Sequence, residues 1–146
     1  YCYDYISTST SYRESPMLRK LTLATLLSTG LAQAATLNEL QLDGLLTGNT
    51  IYLIVPAGGP ALPEGGIVPF KYGADGSSAA RLSSSMTLVG TWSLKKDHYC
   101  ANWDNGPKNS CTKLEKSPSG IAFIDIKSGD IRGTVERIVP GNPEGL

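Results

Sequence analysis

The chain has 146 residues, with 13 Lys+Arg, 13 Asp+Glu and one His, and no formal net charge at pH 7. This length suits one ordinary domain. The charge balance lacks both the basic face that nucleic-acid binding needs and the cationic cluster that draws a protein to an anionic membrane.

The first sixteen residues, YCYDYISTSTSYRESP, are rich in Ser, Thr and Tyr and show no hydrophobic period. From Met17 the order becomes basic, apolar, then small. Arg19 and Lys20 precede a charge-free run from Leu21 to Leu31, and Ala32-Gln33-Ala34 follows as an A-x-A cleavage site. That order predicts a secretory signal peptide over 17–34, cut to leave Ala35 first. The apolar run is about half the ~20 residues of a spanning helix, and no later stretch is long enough to cross a bilayer. Residues 1–16 are expected to be a mis-set start or an upstream extension, and 35–146 a single exported domain. Setting aside Arg13, Arg19, Lys20, Asp4 and Glu14 leaves that domain with a net charge of about −1.

Thr36-Leu37-Asn38-Glu39 fits a capping box, with Thr36 as N-cap and Glu39 three residues on. Leu37, Leu40 and Leu45 then predict a short helix that ends near Leu46 and lays its leucines over a core, with Gly48-Asn49 as the stop. The texture then turns to β. Thr50 to Val55 is β-branched and aromatic, and Pro56 ends it. Residues 56–69, rich in Pro and Gly, predict a long loop without regular structure. Val68 to Tyr72 is a short strand candidate, and Ser77 to Ser85 is small and polar.

From Met86 the pattern is a meander. Strands are expected over Met86–Lys95, His98–Trp103, Ser110–Lys116, Ile121–Ile126 and Ile131–Val139, with turns between them. Gly90 is expected to mark a bend or bulge, and Ile124 and Ile126 to share a face. Pro140 to Leu146 reads as a tail. Six to eight short strands, one N-terminal helix and no helix between strands predict a mainly β protein, a small antiparallel barrel or sandwich. Barrel closure is preferred because it removes exposed edges.

Cys2 falls in the leader, which leaves Cys100 and Cys111 as a pair. In an oxidising compartment they are expected to form a disulfide across the hairpin. One His and no further Cys cannot complete a four-ligand soft-metal site, so neither metal nor cofactor is expected. His98, between Asp97 and Tyr99, is the sole candidate base for a hydrolase. No nucleophile motif accompanies it, and the scattered carboxylates form no obvious pair, so the chain is expected not to be an enzyme. Trp92, Tyr99 and Trp103 are the candidate binding residues. Trp92 is expected in the core, and Trp103, beside the 104–109 tip, half-exposed. The Gly90-Thr91-Trp92 sequence resembles the G-x-W of lipocalin-like barrels, where the Trp plugs one end.

Gly48-Asn49-Thr50, Gly90-Thr91-Trp92, Tyr99-Cys100, Trp103, Cys111 and Gly141-Asn142-Pro143, in that order, resemble a proteobacterial family of small secreted β proteins known only as a domain of unknown function. The resemblance covers roughly residues 40–146. It implies a periplasmic or extracellular β domain and brings no activity. The function expected is that of a binding or accessory domain for a small apolar ligand or a periplasmic protein. The alternatives are an inhibitor of a cell-wall hydrolase, similar to lysozyme inhibitors in size and export, and a hydrolase using His98.

Overall fold

In the computed structural model, side chains over 87–94, 99–103 and 110–115 alternate between the interior and the outside, the pattern of a sheet wet on one side only. The structure describes residues 33–59 and 62–146. The 1–16 segment and nearly all of the expected signal peptide lie outside the described residues.

The elements in chain order are β1 (Ala35–Thr36), α1 (Glu39–Leu46), β2 (Asn49–Val55), β3 (Gly66–Tyr72), β4 (Ser77–Arg81), β5 (Thr87–Leu94), β6 (Tyr99–Trp103), β7 (Ser110–Ser117), β8 (Gly120–Asp125) and β9 (Ile131–Pro140). From β2 to β9 every strand pairs antiparallel with the next, and β9 returns to pair with β2. The result is a closed eight-stranded up-and-down barrel, the closed form of the sheet expected from sequence. β1 adds two residues to β7 at Glu115 and Lys116, beyond the stretch that β6 covers.

α1 seals one end. Its cap differs from the expected one. Asn38, not Thr36, is the N-cap, and Gln41 completes the box with two hydrogen bonds of 3.0 Å. Thr36 is occupied in β1, so the helix starts later and its buried face shifts to Leu42 and Leu46. Leu40, expected in the lid, is 82% exposed. Leu37 is buried as expected.

The loop expected over 56–69 is shorter, because β3 begins at Gly66 and includes Pro69. Pro69 faces Tyr52 of β2 and lies just outside the part of β3 that pairs with β4, a position that tolerates a missing N–H. The loop is also turned on itself, with Gly58 N donating to Pro63 O and Gly65 N to Leu62 O. β4 forms from the small polar run, and Ala80 points into the core opposite Phe70. Gly90 is in regular register with both neighbours, so no bulge occurs there. What it provides is close approach: a Cβ would stand 2.1 Å from the Asn102 carbonyl oxygen. A register shift does occur between Phe123 and Ile124. It buries both residues and leaves Ile126 exposed, so Ile124 and Ile126 do not share a face.

The tail after β9 is a strap across the outside of β2 and β4. Thr50 Oγ1 donates to Gly141 O at 2.7 Å. Tyr52 Oη donates to Glu144 at 2.5 Å, and Arg81 binds the same carboxylate at 3.2 Å and the Glu144 carbonyl at 2.8 Å. The Arg137 guanidinium stacks 3.6 Å over the Tyr52 ring. Tyr52 is therefore buried although it points away from the barrel interior.

Candidate functional site

Alternation along β6 sends Tyr99, Ala101 and Trp103 inward and leaves Cys100 and Asn102 outside. With Trp92 from β5, the three expected binding residues thus all belong to the barrel interior. Trp92 donates its indole N–H to Gly73 O at 2.9 Å. Its ring meets Tyr72 edge-on at 5.3 Å, and Tyr72 meets Tyr99 in the same way at 5.2 Å. The two phenol oxygens share a hydrogen bond of 2.8 Å. Burial pushes both hydroxyls above the ordinary phenol range, so each stays protonated. These groups form a plug toward the α1 end. Trp92 is core, as expected. Trp103 is not half-exposed: it is 5% exposed, turned inward by its strand and packed edge-on against Phe70 at 6.2 Å.

Beyond the plug lies an interior cavity of about 60 Å³. Leu53, Phe70, Trp103 and Phe123 supply its apolar wall, and Tyr99, Ser110, Thr112 and Arg132 its polar side. A shallower groove of about 380 Å³ runs outside it, between the 107–111 and 125–127 segments. The two spaces share Ser110 and Arg132 as lining residues. Tyr99 and Trp103 touch the cavity, whereas Trp92 does not.

Arg132 therefore stands at the mouth. From β9 it reaches past β8 to donate to Ser110 Oγ on β7 at 2.6 Å, and its other terminal nitrogen donates to Asp125. The guanidinium holds the Asp125 carboxyl down at about 2, helped by the Ser128 and Lys127 amides, which bond its other oxygen at 2.9 and 2.7 Å. Lys108 and Lys127 add cationic groups to the same groove, with Lys108 also donating to Trp103 O. Sequence reasoning counted Asp125 among the scattered carboxylates; in the fold it caps its own turn and also holds Arg132. That reasoning missed Arg132 entirely, since an Arg between Ile131 and Gly133 carries no local signal.

His98 lies apart from this mouth, on the outer face beside the disulfide. Cys100 and Cys111 are bonded and directly opposed on β6 and β7, as expected, with Cα atoms 4.0 Å apart. His98 Nδ1 is 2.7 Å from Asp97 Oδ1. A ring nitrogen of His98 and the two sulfurs all lie within 4.8 Å of one another. Among the described residues, no serine hydroxyl hydrogen-bonds His98.

Comparison with known proteins finds no matching family model, no matching curated protein and no matching solved structure.

Proposed function

We propose that this protein is an exported, non-enzymatic binding module whose barrel holds a small apolar ligand with an acidic head. One observation carries this reading: the apolar-walled cavity and the outer groove meet at Arg132. A cavity of about 60 Å³ accepts a few carbon atoms rather than a bulky ring system. The alkyl end of a ligand would enter between Phe70, Trp103 and Phe123. Its carboxylate would meet the N–H groups of Arg132 that Ser110 and Asp125 leave free, with Lys108 and Lys127 close by. The secretory pattern at 17–34 and the disulfide support a periplasmic or extracellular setting.

A direct test is saturable change in tryptophan emission on titration with hexanoate, hexanol and hexylamine. Hexanoate should bind most tightly and hexylamine least, and Arg132→Gln should remove the preference for the acid. Equal weak effects from all three compounds would sink the proposal.

A second reading has one observation of its own. The turn between β4 and β5 presents Ser83, Ser84 and Ser85 to solvent beside the open end, the kind of protruding serine tip a hydrolase inhibitor inserts. Mixing with lysozyme and measuring lysis tests it, and unchanged lysis argues against it.

A further inference from the structure

The geometry points to a second site, on the outer face beside the groove: reduction of the Cys100–Cys111 disulfide creates a three-ligand site for a soft divalent cation, with His98 as the third ligand. The three ligand groups come from one hairpin. β6 supplies Cys100 and β7 supplies Cys111, opposed in register, and the residue preceding β6 supplies the imidazole. Their ligand atoms already lie within 4.8 Å of one another. With Zn–S bonds of about 2.3 Å and Zn–N bonds of about 2.0 Å, tetrahedral coordination spaces its ligands about 3.3–3.8 Å apart. The site asks for opening of the S–S bond and rotation of the three side chains, with the β6–β7 pairing kept.

His98 is prepared for the role. Its Nδ1 faces the Asp97 carboxylate at 2.7 Å, which leaves Nε2 as the nitrogen available to a metal. A carboxylate behind the imidazole is the usual partner of a metal-bound histidine. All three residues are half-buried rather than sealed, and Cys111 lines the 380 Å³ groove, so a reductant and a fourth ligand both have access. The chemistry balances with a dithiol as reductant. Thiolate attack opens the disulfide, and two electrons and two protons pass to Cys100 and Cys111 as the dithiol becomes a cyclic disulfide. Zinc then displaces the two thiol protons and binds two thiolates and the neutral imidazole, with water in the fourth position. Oxidation closes the site by joining two of its ligands.

The test uses the full chain with Cys2→Ser, so that no third thiol contributes. Oxidised and dithiol-reduced protein, freed of reductant under anaerobic conditions, are titrated with zinc against a chromophoric chelator. The same titration with cadmium follows the thiolate charge-transfer band. One equivalent should bind to reduced protein and none to oxidised protein. His98→Ala should weaken binding by at least about 10-fold, and Asp97→Asn should weaken it measurably. Equal zinc uptake by the oxidised form, or unchanged affinity in His98→Ala, would overturn the assignment. Loss of the β circular-dichroism signal on reduction would overturn it equally, because the site requires the two strands to hold the three atoms together.

Discussion

Single atoms decide much of the interior. Tyr99 Oη bonds the Tyr72 hydroxyl and also has Thr112 within reach, whereas among the described residues Tyr72 Oη has only Tyr99. Removing a partner from a buried hydroxyl costs about 1–3 kcal/mol. Tyr99→Phe should therefore destabilise by about that much, and Tyr72→Phe by less, because Tyr99 keeps Thr112. Urea unfolding of the two variants measures the asymmetry. Asp125 sets a pH dependence of definite sign. Its folded pKa is about 2 and an unfolded aspartate's is about 3.9. The unfolded chain thus binds more protons between these values, and the stability that Asp125 contributes is present above about pH 4 and lost as pH falls toward 2. The thermal midpoint should drop across that window, and the drop should shrink in Arg132→Gln. The Glu144 carboxylate beside Tyr52 raises that phenol in the opposite sense. Glu144→Ala should bring the Tyr52 titration down toward the ordinary range, as read from phenolate absorbance.

At the scale of elements, the hairpin β6–β7 is held by its staple. Chain-entropy reasoning for a loop with a sequence separation of 11 gives about 3 kcal/mol. Paired Cys100→Ser and Cys111→Ser substitutions should lower unfolding stability by roughly that amount. Gly90→Ala should be costly for a different reason, since its Cβ would collide with backbone that cannot rotate away. A loss of more than about 2 kcal/mol is expected, with poor expression as the first sign. These elements also show what a sequence displays and what it hides. The meander after Met86 was legible because turn residues and β-branched runs alternate at short range. β4 was not, because Ser78 and Ala80 are small opposite the rings of Tyr72 and Phe70 on β3, and that pairing exists only in the folded sheet. The helix ends where expected but starts later, because Thr36 satisfies the local capping pattern and is claimed by β7. Trp103 was expected half-exposed beside its loop tip, yet alternation on β6 turns it inward with Tyr99. Arg132 was not legible, since its partners come from β7 and β8 and meet it only when the barrel closes.

For the molecule as a whole, closure by β9 against β2 is the organising fact. Tyr52 opposite Arg137 and Thr50 opposite Val139 are joined across most of the domain's sequence. The strap then ties the chain's last residues to the outside of the first long strand. This arrangement has a kinetic consequence. Pairings so distant in sequence make folding slow compared with a helical protein of equal size, because loop-closure entropy is lost before those contacts form. Until β9 arrives, β2 and β8 are both open edges able to pair with another chain. A chain halted before Ile131 should accordingly self-associate, while the intact chain stays monodisperse under the same conditions, as size-exclusion chromatography would show. The strand that completes the sheet is also the one that carries Arg132. Cavity and groove therefore meet at Arg132 only in the closed barrel.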